Sequence, residues 1–147
     1  MLNCTFENGN PASLRHVVTQ AVVYKEHEIL LIKRAEGMLE GGKWALPGGF
    51  VDRDETTKEA IAREIKEETG WEVDQVELLS IYDNPDRPAE DRQNISFNFM
   101  CRALKQTGVS DHEVTALEWV NLSDPRIQSL AFDHTKVIKE FLLKSGK

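Results

Sequence analysis

The stretch GGFVDRDETTKEAIAREIKEETGW, from Gly48 to Trp71, constrains the chain more than any other. Thr56 and Glu59 have the spacing of a capping box. Ala60, Ile61 and Ile65 form a narrow apolar stripe, and Gly70 suits the residue just past a helix end. The pattern predicts a helix over residues 56–69. Within it Glu64, Glu67 and Glu68 stand at i, i+3 and i+4, so they crowd one face. Like charges at that spacing cost a few tenths of a kcal/mol per pair. Glu67 and Glu68 also meet the negative end of the helix dipole, which adds roughly 0.3–1 kcal/mol against each. A solvated helix face can carry the summed penalty of about 1–2 kcal/mol. A divalent cation held by the carboxylates would remove it, since hard cations such as Mg²⁺ favour oxygen ligands. The residues alone leave both readings open.

Around this helix the chain alternates strand-like and loop-like runs. RHVVTQAVVYK and EILLIKRA, separated by the short polar Lys25-Glu26-His27, read as two strands of a hairpin. Residues 37–49, GMLEGGKWALPGG, read as a loop, a short strand at residues 44–46 and a tight turn. VDQVELLSIYD, NISFNFMCRAL and VTALEWVNL read as further strands, and NISFNFMC has the alternation of a half-buried one. NPDRPAEDR, with two prolines, is a loop. Near the end, Val137, Ile138, Phe141 and Leu142 have the spacing of an amphipathic helix. No repeat or linker divides residues 1–147, so one layered domain with mixed strands and helices is expected.

Composition narrows the partners. The chain has 147 residues, enough for one sizeable core, and a formal net charge of -7. An acidic chain without a Lys/Arg run repels nucleic-acid backbones and anionic membranes, so neither is an expected partner. A phosphate-bearing substrate would need cationic side chains or metal in its site. Cys4 and Cys101 make neither a CxxC pair nor a zinc set and read as free thiols of a cytoplasmic protein. The first 16 residues lack a signal-peptide pattern, and no apolar stretch is long enough to span a membrane. The four His show no paired metal spacing, and no Ser lies in a nucleophile elbow.

Gly49, Glu55, Arg63, Glu64, Ile65, Glu67, Glu68 and Gly70 match the Nudix box, G-x5-E-x7-R-E-U-x-E-E-x-G-U, where U is aliphatic. Trp71 departs from the pattern at the last position, where packing is the expected role. WALPGG before the box and EVTALEWV after it resemble the flanking strands of Nudix domains, so the resemblance covers nearly the whole chain. It implies an α+β fold: a Nudix-type α/β/α sandwich with a mixed central sheet. It further implies that Glu64, Glu67 and Glu68, with the Gly49 carbonyl, hold Mg²⁺ or Mn²⁺ at a diphosphate. Glu55 and Arg63 would be the ion pair that holds the box loop against its helix. Hydrolysis of a phosphoanhydride needs a base for the attacking water. In this family the base is either Glu64 or a loop acid, for which Glu113 is the candidate.

The substrate is read from IYDNPDRPAEDRQNISFNF, which resembles the segment after the box in microbial ADP-ribose pyrophosphatases. Pro85 and Arg87 match that pattern, and PAEDRQN departs from it. Arg34, Arg87 and Arg92 are candidates for phosphate or ribose contacts, because guanidinium groups give bidentate contacts to oxyanions. For Arg87 or Arg92 alone, a solvated loop residue paired with Asp86, Glu90 or Asp91 is the commoner case, and Arg34 is as readily a surface residue at a strand end. Tyr82, Phe97 and Phe99 are candidates to stack a base or to lie in the core. The leading expectation is metal-dependent hydrolysis of ADP-ribose to AMP and ribose 5-phosphate, in a chain for which the resemblance also admits a homodimer. The second is a nucleoside triphosphate pyrophosphohydrolase that clears damaged nucleotides. The third is a non-catalytic ADP-ribose-binding regulator. The intact box, the acidic charge and the roughly 25 residues after Leu122 weigh against that one. Isopentenyl diphosphate isomerase shares the fold, but no residue here identifies its catalytic Cys.

Overall fold

A computed structural model describes residues 2–87 and 93–146. Strands β1 (Leu2–Thr5) and β2 (Pro11–Leu14) form a separate antiparallel hairpin. The main sheet has seven strands. β3 (Val17–Lys25) and β4 (Glu28–Arg34) are its central hairpin, followed by β5 (Trp44–Ala45), β6 (Gly48–Phe50), β7 (Trp71–Tyr82), β8 (Ile95–Gln106) and β9 (Val114–Asn121). The path runs β5-β4-β3-β8-β7, with β6 also on β3 and β9 also on β4. β3 and β8 are parallel and the other pairs antiparallel, so the sheet is mixed.

Alternation along β3 decides which helix lies on which face. Ala21 and Val23 point toward helix α1 (Thr57–Thr69) and pack with Ile61, Ile65, Leu30 and Phe99. Val22 points the other way, toward helix α2 (His134–Ser145), and packs with Ile29, Leu31, Val137, Ile138 and Phe141. Each helix thus buries its apolar stripe against one face of the sheet, giving the α/β/α sandwich. Burying a side chain such as Ile65 contributes about 1.5–3 kcal/mol.

Most element boundaries fall within two residues of the sequence expectation, and three features differ. The tight turn expected at Gly48-Gly49 is strand β6, because both glycines register against Gln20 and Thr19 of β3. The β1–β2 hairpin was not expected. Its signal was present in Asn8-Gly9, where Gly9 takes φ +82° and Asn8 Oδ1 accepts the Asn10 N–H at 3.0 Å. A 3₁₀ turn, Pro125–Ser129, precedes α2 and is begun by Asp124, whose side chain accepts the Arg126 N–H. Trp71 meets Trp119 edge-on, with ring centroids 5.2 Å apart. Lys25 Nζ lies 4.1 Å from the Trp119 centroid, so the aromatic departure from the box pattern is accommodated by packing.

Candidate active site

Helix α1 positions the acidic side chains. Thr56 caps it through the Glu59 N–H while the Glu59 carboxylate accepts the Thr56 N–H at 2.8 Å, the reciprocal capping box. At the other end Gly70 takes φ +71°, and its N–H donates to the Lys66 carbonyl. The stripe that buries Ile61 and Ile65 continues one turn on to Glu68, which is only 4% exposed. Helical spacing therefore puts a carboxylate where an apolar residue would sit. Glu64, one turn earlier, is half-buried, and Glu67 lies on the exposed side.

Arg63 organises this face. Its Nε and Nη2 donate to the two Glu55 oxygens at 3.1 and 2.6 Å, a bidentate pair. Nη1 donates to Glu64 Oε1 at 2.9 Å and to Glu67 Oε2 at 3.0 Å, and Nη2 also reaches the Phe50 carbonyl at 3.1 Å. Glu55 in turn accepts the Asp52 N–H at 2.7 Å. These contacts tie the loop before α1 to its middle turn.

Strand β6 brings the loop backbone against the same carboxylates. The Gly48 N–H donates to Glu68 Oε2 at 2.8 Å. A Cβ on Gly49 would lie 2.5 Å from each Glu64 oxygen, so any larger residue there would push the Glu64 carboxylate aside. Burial pushes the Glu68 carboxyl up to about 8, and the Glu64 and Asp111 charges push the same way. Burial also raises Glu64, with Glu67 and Glu113 adding to it. Burial thus disfavours the charged form of both carboxylates.

Among the described residues, no three His, Cys, Asp or Glu side chains are already gathered as a metal-ligating group. Of the expected set, Gly49 lies against the Glu64 carboxylate, and the three carboxylates each have a protein partner. Arg63 takes Glu64 and Glu67, and the Gly48 N–H takes Glu68. The donor chemistry still fits a hard divalent cation. The donors are carboxylate oxygens on adjacent turns, two of them held side by side by one guanidinium nitrogen, against a glycine backbone that a Cβ would block.

A cavity of about 470 Å³ opens over this end of the sheet. Gly49, Glu64, Glu68, Arg34, Arg87 and Glu113 line it, bringing together six of the expected site residues. Arg34 reaches it from the end of β4, with Nε donating to the Leu39 carbonyl and the guanidinium 5.2 Å from the Phe132 ring. The sequence missed Thr19, Gln20, Asn94, Phe132 and His134 on its walls. Thr19 Oγ1, Asn94 Oδ1 and Arg87 Nη1 are buried polar atoms with no partner among the described residues. His134 Nδ1 accepts the Leu46 N–H at 2.9 Å, which requires a neutral ring protonated at Nε2. Burial holds its pKa down at about 3.

Two expectations for the substrate loop change. Arg87 is not a loop-surface residue paired with Asp86. It is buried, and its Nε and Nη2 donate to both Asp133 oxygens at 2.8 and 2.6 Å. Asp133 immediately precedes α2, but its side chain makes no capping bond. Tyr82 lies outside the cavity. Its hydroxyl donates to Glu140 Oε1 at 2.9 Å, and it borders a second hollow of about 440 Å³ with Lys136 and Lys139. Phe99 is core, and Phe97 is half-buried against the α1 side. Arg92, Glu90 and Asp91 lie outside the described residues.

Comparison with known proteins agrees with this geometry. The NUDIX domain profile matches residues 14–141. An ADP-ribose pyrophosphatase of Methanocaldococcus jannaschii is 37% identical over 126 residues, covering 86% of this chain and 72% of that protein. An 8-oxo-dGTP diphosphatase of Proteus vulgaris is 34% identical over 74 residues, 49% of this chain and 66% of that one. The crystal structure of an ADP-ribose pyrophosphatase from Streptococcus suis superposes with a TM-score of 0.74 at 25% identity, covering 91% of this chain and 94% of the other.

Proposed function

The chain belongs to the Nudix family and is a Nudix pyrophosphohydrolase, and from that premise we propose that it cleaves the diphosphate of a nucleoside diphosphate derivative, with ADP-ribose as the preferred substrate. The products would be AMP and ribose 5-phosphate. One observation carries the reading: the carboxylate-lined mouth formed by Gly49, Glu64 and Glu68 shares a cavity with Arg34, Arg87 and Glu113. The sequence relation to an ADP-ribose pyrophosphatase supports the choice of substrate.

Glu64, Glu67 and Glu68 would hold Mg²⁺ or Mn²⁺. A bound divalent cation supplies neutralisation of diphosphate charge and acidification of a nearby water. The chain's own residues do the rest. Arg63 holds Glu64 and Glu67 in place and, through Glu55, keeps the box loop on the helix. Arg34 provides a cation for a phosphate oxygen. The half-buried acids Glu64 and Glu113, both on the cavity wall, are the candidates to take the water's proton. On the same cavity wall Arg87, Thr19 and Asn94 offer donors and an acceptor suited to ribose hydroxyls or a base edge.

The test is a screen of ADP-ribose, other nucleoside diphosphate derivatives and dNTPs with Mg²⁺ or Mn²⁺, with product analysis. AMP plus ribose 5-phosphate as the main turnover supports the proposal. A nucleoside monophosphate plus pyrophosphate, formed faster, refutes the substrate choice and favours nucleotide housecleaning, to which the 8-oxo-dGTP diphosphatase relative lends support. Full turnover in EDTA refutes the metal-dependent mechanism.

A further inference from the structure

Glu113 stands at the start of β9 with both sides of its backbone pinned. Its carbonyl accepts the Ala35 N–H at 2.9 Å, beside the irregular pairing of Lys33 and Arg34. Its N–H donates to Asp111 Oδ1 at 2.9 Å, closing an Asx turn. The other end of the same loop is also anchored. The Thr107 and Gly108 N–H groups donate to the Gly70 carbonyl at 2.8 and 3.1 Å, at the C-terminus of α1. The loop from β8 to β9 is thus fixed to the metal-box helix at one end and to β4 at the other. Glu113 lines the same cavity as Glu64, whereas Asp111 is not on the cavity wall.

We infer that Asp111 is a positioning residue for the reaction: by accepting the Glu113 N–H it fixes that peptide and aims the Glu113 carboxylate into the cavity. The inference rests on the reading of Glu113 as the acid that handles the attacking water's proton. The role needs only an acceptor at Oδ1, not a charge. Asparagine supplies that acceptor and alanine does not. The Ala35 bond remains in either variant, so β9 keeps its register while the Glu113 peptide is released only in Asp111→Ala. A general base displaced by about 1 Å loses on the order of a hundredfold in rate.

The test measures kcat and KM for D111A, D111N, E113Q and D111A/E113Q, with ADP-ribose, or with dGTP where that is the better substrate of the screen. Amide hydrogen exchange at Glu113 is followed in the same proteins without added metal. The expected result is a ten- to hundredfold lower kcat in D111A with KM within about threefold, near-wild-type kcat in D111N, and faster Glu113 amide exchange in D111A only. In the E113Q background, D111A should lower kcat no further. An equal loss from D111A with and without Glu113 overturns the inference, as does a D111N as impaired as D111A, which would point to the charge that Asp111 exerts on Glu68. Unchanged amide exchange in D111A overturns it as well. E113Q at the wild-type rate removes the reading of Glu113 itself, a failure distinguishable from the others.

Discussion

The buried Arg87–Asp133 pair gives the sharpest stability prediction. Its side chains are only 6% and 4% exposed, and two parallel hydrogen bonds join them at 2.8 and 2.6 Å. Two desolvated charges repay their transfer from water only while both are present. In Asp133→Ala, the Arg87 guanidinium stays buried with Nε and Nη2 newly unpartnered beside an Nη1 that has no partner already. Breaking one side of such a pair costs about 3–5 kcal/mol. Loss of a helix cap adds nothing, because the Asp133 side chain makes no capping bond to α2. The double variant Arg87→Met/Asp133→Leu removes both charges and keeps the volume, so its stability should return to within about 1 kcal/mol of wild type. Urea unfolding followed by the fluorescence of the three Trp compares wild type, Asp133→Ala and the double variant. A single Asp133→Ala that loses less than about 1 kcal/mol at an unchanged m-value would refute the reasoning. So would a double variant as unstable as the single. Activity adds an independent readout: if Arg87 touches substrate, the refolded double variant keeps its stability and shows a raised KM.

Three other perturbations have definite signs. Glu68→Gln keeps an acceptor for the Gly48 N–H and removes a buried charge, so stability in EDTA at pH 8 should rise, by on the order of 1 kcal/mol or more, while activity with Mg²⁺ collapses; a destabilised variant in EDTA would mark Glu68 as structural. Gly49→Ala forces the Glu64 carboxylate aside, so the Mg²⁺ concentration for half-maximal activity should rise, with a stability cost of about 1–3 kcal/mol; wild-type Mg²⁺ dependence would show that Glu64 is not needed where it stands. Acid should act through His134, whose folded pKa lies at about 3 against an ordinary 6.5, so the unfolded chain binds a proton that the folded one refuses. Its contribution is complete above pH 6.5 and is lost as the pH falls toward 3, about 2 kcal/mol by pH 5, and a His134→Gln variant with the same acid sensitivity would refute it.

What the sequence made legible is what short-range rules determine. The α1 capping box, its Gly70 stop and the Arg63–Glu55 contact all lie within 15 residues of one another, and fixed helical spacing brings them together. Strands β3, β4, β8 and β9 were legible because two-fold alternation and buried apolar runs survive without knowledge of their partners. The β1–β2 hairpin was missed although Asn8-Gly9 announces it, because the strands on either side carry too few apolar residues to register as strands.

The remaining features depend on which elements become neighbours. Arg87 reads as a surface residue because its loop offers three nearby acids, yet its partner is Asp133, 46 residues away on the far side of β8 and β9. His134 reads as ordinary until α2 begins against the chain at Leu46, 88 residues earlier. Both depend on α2 packing across the sheet from α1, and no local pattern encodes that contact. The division has a functional consequence. The carboxylate cluster is encoded within one helix and its preceding loop, so it can persist while the rest of the chain diverges. Other lining residues, Asn94 and Arg87, come from the approach to β8 and the loop after β7. Neither lies on α1 or its preceding loop, although Arg87 can change only together with its buried partner Asp133. Chemistry at the diphosphate is thereby separated from recognition of what the diphosphate carries, so paired substitution of Arg87 and Asp133, or substitution of Asn94, should change KM among substrates while the metal requirement stays fixed.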